Sequence, residues 1–117
     1  MKRVLIVDDA AFMRAMIKNM LLRNGYEVVG EAENGAIGVK KYQELKPDIV
    51  TMDITMPVMM GLEALKAIRC FDANAKVIMV SAMGQELLVR EAIMNGARTF
   101  IVKPFTEEHI LQTLKKM

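Results

Sequence analysis

The chain contains one cysteine, only a small excess of positive charge, and no linker rich in proline, glycine or serine. The lone Cys70 excludes an internal disulfide framework and any cysteine-rich metal site. Lys+Arg number 16 against 14 Asp+Glu, a net charge of +2. That balance gives no bulk electrostatic case for nucleic acid binding. No apolar run exceeds about five residues, so nothing in the sequence spans a bilayer as a helix. Met1-Lys2-Arg3 is followed by only Val4-Leu5-Ile6-Val7 before Asp8 and Asp9, too short an apolar stretch for a signal peptide. The expectation is a cytoplasmic protein. There is no low-complexity segment and no convincing internal repeat.

What is present is enough for a core. Of 117 residues, 53% are hydrophobic and 26% charged. A chain of this size reads as one domain and buries about two-thirds of its unfolded surface. Two periods alternate along it. Short apolar runs at Val4–Val7, Glu27–Val29, Asp48–Met52, Lys76–Val80 and Thr99–Val102 read as strands. Most are nearly continuous in apolar residues, as parallel strands buried on both faces are. Helical stripes lie between them: Met13, Met16/Ile17 and Met20/Leu21; Leu62, Leu65 and Ile68; Val89, Ala92 and Ile93; Ile110, Leu111 and Leu114. Ala36 to Leu45 is the weakest helix, with Gly38 inside it. Asn24-Gly25 and Asn95-Gly96 stand where two helices should stop. Thr106 is a candidate N-cap, with Glu107 and Glu108 in the first turn and Lys115 and Lys116 in the last. Five β-α units with right-handed crossovers make a doubly wound α/β sandwich, with its ligand site at the carboxyl ends of the strands.

That rule gathers particular residues. Asp8 and Asp9 follow the first strand, Asp53 the third, Ser81 the fourth, and Lys103-Pro104 the fifth. Singly, each has an ordinary explanation. Asp8 or Asp9 could cap the first helix, Asp53 could be a turn residue before Pro57, and Lys103 could be a solvated surface residue. Five such groups at four strand ends point instead to a site. Clustered carboxylates repel one another unless a cation shares the space. An all-oxygen set at a shallow edge suits Mg²⁺, with one or two carboxylates and a phosphoryl oxygen. A carboxylate beside such an ion can be a nucleophile toward phosphorus. A lysine and a hydroxyl are suitable partners for the charge that develops.

These residues resemble the response-regulator receiver domain along residues 1–117, read as a single domain. The resemblance rests on Asp8-Asp9, Asp53-Ile54-Thr55-Met56-Pro57, Ser81-Ala82 and Lys103-Pro104-Phe105. The fuller wording of Val7 to Arg14, Thr51 to Pro57 and Ser81 to Gln85 is similar to chemotaxis response regulators. The resemblance implies a flavodoxin-like fold with strand order 2-1-3-4-5. It implies Asp53 as phosphoacceptor, Asp9 as a direct Mg²⁺ ligand, Asp8 as a ligand through water, and the Thr55 backbone carbonyl as a further ligand. Lys103 and Ser81 would hold the phosphoryl group, Ser81 and Phe100 would form the switch, and the Lys103–Pro104 bond would be cis. The implied partners are a chemotaxis histidine kinase, a flagellar motor switch protein and a phosphatase, with no nucleic acid, no membrane and a monomeric state. The implied activity is a signalling switch that takes part in its own phosphoryl transfer and autodephosphorylation.

Met59-Met60-Gly61 departs from the commoner acidic or Asn residue before that glycine, and Phe100 lacks the hydroxyl of the commoner Tyr. Leu87 and Met94 fall off the inward stripe and are expected to be exposed. The 12 methionines read mainly as core filler, Cys70 as a small packing residue, and His109 as a surface residue. One alternative is a phosphorelay intermediate that passes its phosphoryl group to another histidine protein. A second is the receiver half of a DNA-binding regulator, disfavoured because the sequence stops at Met117 without a basic domain. A third, a nucleotide- or flavin-binding protein, would want a glycine- or hydroxyl-rich loop where Asp8 and Asp9 stand.

Overall fold

The computed structural model describes residues 2–117. Five strands and five helices alternate: β1 (Arg3–Val7), α1 (Ala11–Arg23), β2 (Glu27–Ala32), α2 (Gly35–Leu45), β3 (Ile49–Asp53), α3 (Gly61–Phe71), β4 (Val77–Ser81), α4 (Glu86–Met94), β5 (Thr99–Val102) and α5 (Glu107–Lys115). Every strand pairing is parallel and the sheet order is β2-β1-β3-β4-β5. The expected flavodoxin-like α/β fold is therefore the observed one.

Alternate residues of the strands feed two cores. Leu5, Val7, Val50, Met52, Val77 and Met79 pack with Tyr42 of α2, Leu65 and Ile68 of α3, and Val89 and Ala92 of α4. Val4, Ile6, Ile78 and Val80 face the other way, onto Ile17 and Leu21 of α1 and Ile110 and Leu114 of α5. Burying one such side chain contributes roughly 1.5–3 kcal/mol, so the two cores hold the strand ends in fixed register.

Two of the expected helix stops occur as read. Gly25 and Gly96 take φ of +84° and +101° after α1 and α4, the left-handed conformation that glycine adopts without strain. The Thr106 side chain accepts from the His109 backbone N–H and caps α5. Gly38 is no defect in α2. A Cβ there would stand 3.0 Å from Val7 Cγ1, so the glycine lets α2 lie close on β1.

Several expectations are corrected. β2 continues to Ala32 rather than ending at Val29, because Val4 pairs with Val28 and Leu5 with Gly30, and the skipped Val29 is absorbed as a bulge. Ile93 is 41% exposed: α4 turns Leu88, Val89 and Ala92 toward the core, and Ile93 falls on its flank. Cys70 is exposed rather than packed. Met20, Met52, Met56 and Met79 are core, but Met83 and Met94 are largely exposed. Leu87 and Met94 are exposed as expected.

Candidate functional site

Asp8 directly follows β1. Its N–H donates to the Ala32 carbonyl, so strand pairing carries on to this residue and holds it. Neither Asp8 nor Asp9 caps α1; the N-cap position is Ala10, which makes no side-chain bond. Asp8 instead accepts from the Ala10 N–H with Oδ1 at 2.9 Å, a short turn that aims Oδ2 along the sheet edge. There Lys103 Nζ donates to it at 3.1 Å. The Asp8 carbonyl accepts from Arg14 Nη1 at 2.7 Å, which ties the turn to α1.

Asp53 is the last residue of β3, between β1 and β4 in the centre of the sheet. It is buried, and Lys103 Nζ lies 3.6 Å from its Oδ1. Oxygens of Asp8, Asp9 and Asp53 all lie within 4.8 Å of one another, with Asp9 exposed at the mouth. Burial, then the charge of Asp8, push the Asp53 carboxyl up to about 6; Lys103 opposes the rise and Asp9 adds to it. Three carboxylates against one ammonium leave uncompensated negative charge. A hard divalent cation with oxygen ligands would relieve it, so these residues fit such an ion.

Lys103 is set by the strand before it and the turn after it. Its N–H donates to the Ser81 carbonyl at 2.7 Å, and the Lys103–Pro104 bond is cis, as expected. Ser81 ends β4, buried, opposite Val102. The segment from Ile54 to Met60 leads from Asp53 into α3, and the Gly61 N–H donates back to the Ile54 carbonyl at 2.7 Å. Gly61 packs so tightly under Asp53 that a Cβ would stand 2.1 Å from the Asp53 carbonyl oxygen. Val58 takes φ of +67° while the Met59 N–H donates to the Pro57 carbonyl at 2.7 Å, a strained three-residue turn with a β-branched residue at its apex. Phe100 is 44% exposed and borders a groove of about 400 Å³ with Met83, Val89, Ile93 and Met94.

The fold thus brings Asp8, Asp9, Asp53 and Lys103 together at one edge, with Ser81 at the neighbouring strand end. His109 is exposed in the first turn of α5, with no bond to this edge. Two participants lie within the motifs that carry the resemblance, but nothing in the sequence assigns them a role. Arg14 is an ordinary helix residue until its bond to the Asp8 carbonyl is seen. Gln85 is an ordinary loop residue until its side chain is seen bridging Thr55 and Ala82.

The sequence matches the response regulator receiver domain family over residues 4–115. It is 60% identical over 116 residues to the chemotaxis protein CheY of Thermotoga maritima, covering 99% of this chain and 97% of that protein. It is 60% identical over 114 residues to CheY of Bacillus subtilis, covering 97% of this chain and 95% of that protein. A crystal structure of the CheX-CheY-BeF3-Mg complex from Borrelia burgdorferi superposes with a TM-score of 0.95 at 42% identity, covering 98% of this chain and 87% of that one.

Proposed function

The chain belongs to the response regulator receiver domain family, and from that premise we propose that it is a stand-alone chemotaxis switch phosphorylated on Asp53. The observation that carries the reading is the meeting of the Asp8, Asp9 and Asp53 carboxylates with Lys103 Nζ at the carboxyl edge of the sheet.

A chemotaxis histidine kinase is the donor. An Asp53 oxygen attacks phosphorus, the new O–P bond replaces the P–N bond of the phosphohistidine, and the imidazole leaves with the electron pair and takes up a proton. With its pKa raised to about 6, Asp53 is mostly ionised at neutral pH and available as the nucleophile. Asp8, Asp9, Asp53 and the Thr55 backbone carbonyl are the groups that would hold Mg²⁺, whose chemistry here is to neutralise charge developing on the phosphoryl oxygens. Lys103, already bonded to Asp8 and close to Asp53, supplies the second positive charge. The Ser81 hydroxyl donates to the phosphoryl group and draws its loop inward.

Phe100 then turns toward the space vacated, by packing alone since it has no hydroxyl. The face of α4, β5 and α5 changes with it and binds the flagellar motor switch protein. Reversal is by autodephosphorylation and a phosphatase partner, a reading supported by the similarity to CheY in complex with CheX. The protein acts as a cytoplasmic monomer and switch, not as an enzyme on a separate substrate. Among the described residues no helix is long and apolar enough to cross a membrane.

The test of the output is capture of purified motor switch protein by the chain. Binding should strengthen severalfold on adding acetyl phosphate and Mg²⁺, and Asp53→Asn should abolish that gain. Equal capture with and without the phosphodonor would refute the switch.

A further inference from the structure

Gln85 holds the N-cap position of α4 at φ −103° and ψ 27°, yet its side chain does not cap the helix. It reaches to two neighbouring loops. Oε1 accepts from the Ala82 backbone N–H at 2.7 Å, and Nε2 donates to Thr55 Oγ1 at 2.8 Å. The amide orientation follows from the first contact, because a backbone N–H requires an acceptor facing it. Ala82 is the residue after Ser81, and Thr55 lies two residues past Asp53. One side chain therefore ties the β4–α4 loop to the β3–α3 loop at the acidic edge. Among the described residues no other side-chain hydrogen bond reaches Ala82, Met83 or Gly84. Ala82, Met83 and Gly84 are exposed, and Gly84 sits at φ +90° with open space around its Cα.

We propose that Gln85 is a latch, a positioning residue that holds the Ser81 loop in its resting arrangement and must let go when a phosphoryl group on Asp53 draws Ser81 inward. The inference rests on the phosphoacceptor reading of Asp53. Ala82 follows Ser81 wherever it moves. An inward step of Ser81 therefore carries the Ala82 N–H off Gln85 Oε1, or drags Gln85 off Thr55. In either case a bond made in the resting state is lost in the switched one. Bonds present in only one of two states bias the equilibrium between them. The latch thus opposes phosphoryl binding without touching the phosphoryl group. It also accounts for an amide residue at a helix start where a shorter Ser, Asp or Asn would cap better.

The test uses beryllium fluoride with saturating Mg²⁺ as the phosphoryl mimic, titrated into the ¹⁵N-labelled chain and followed by amide NMR. Gln85→Met keeps the length of the side chain and removes both bonds. Loss of one or two exposed neutral hydrogen bonds predicts about three- to tenfold tighter binding of the mimic. The ligand-free thermal midpoint should fall at the same time. A residue with only a structural role would weaken both. Thr55→Val, which removes the acceptor at the far end, should tighten binding in the same direction, and the double variant should gain less than the sum of the two. Unchanged or weaker binding by Gln85→Met, or strictly additive gains, would overturn the latch. Failure of the parent chain to bind the mimic, or equal binding by Asp53→Asn, would overturn the phosphoacceptor reading and the latch with it.

Discussion

Asp53 carries an electrostatic cost set by its burial and its charged neighbours. Folding moves its carboxyl from the ordinary aspartate range up to about 6, chiefly by burial and by Asp8. The folded state therefore binds this proton more tightly than the unfolded chain. Stability without metal should fall as pH rises from about 4 to about 6, and stay at the lower level above that. Asp53→Asn should then stabilise the metal-free protein at pH 7.5 by about 1–3 kcal/mol, with the gain shrinking below pH 6. Urea unfolding at pH 4.5 and 7.5 measures it, and a gain equal at both would contradict the burial argument. Thr51 poses a second residue-scale question. Its hydroxyl is buried on β3 without a hydrogen-bond partner among the described residues, two residues before Asp53 and on the same face of the strand. Thr51→Val keeps the shape and removes the unpaired group, so it should raise stability by about 1 kcal/mol in the same unfolding assay. The identities of Asp8, Asp9, Asp53 and Lys103 were legible because strand ends are legible. The bond from Arg14 to the Asp8 carbonyl and the positive φ of Val58 were not, because neither leaves a pattern in sequence.

At the scale of elements, local chemistry and tertiary packing divide the work unequally. Helix ends obey local rules: Thr106 caps α5, and Gly25 and Gly96 follow α1 and α4 in the left-handed conformation. Thr106→Ala should cost about 1 kcal/mol, read by thermal or urea unfolding, with the acidic edge unaffected. β2 reads too short because a bulge against β1 is a property of the pair, and Gly30 looks like a terminator when β2 is taken alone. Ile93 fits the inward stripe by spacing but lies on the flank, because the inward face of α4 is centred on Leu88, Val89 and Ala92, which at about 100° per residue leaves Ile93 at its margin. Gly61 joins element and site. Its missing Cβ admits the Asp53 carbonyl, so Gly61→Ala must displace either the start of α3 or the end of β3. It should lower both stability and the rate of Asp53 phosphorylation by acetyl phosphate. Loss of stability with an unchanged rate would mean that the site tolerates the shift.

The whole molecule is an edge device. Two apolar cores fix five parallel strands, and their carboxyl ends bring together groups that lie as far apart in sequence as Asp8 and Lys103. The alternation of periods was enough to infer this arrangement, since parallel strands force their carboxyl ends to one side. What alternation could not supply is how the loops beyond that edge are tied, and the bridge made by Gln85 is of that kind. The uncompensated charge at the edge also has a consequence for the whole chain. Mg²⁺ should raise the thermal midpoint and flatten its dependence on pH, and a chelator should reverse both effects; Asp53→Asn should respond less. Phosphorylation of Asp53 is read from the intact mass of the chain after incubation with acetyl phosphate, with and without Mg²⁺, beside Asp53→Asn. The chain should gain one phosphoryl group only when Mg²⁺ is present, and the variant should gain none. No gain under either condition, or an equal gain in Asp53→Asn, would show that Asp53 is not the phosphoacceptor.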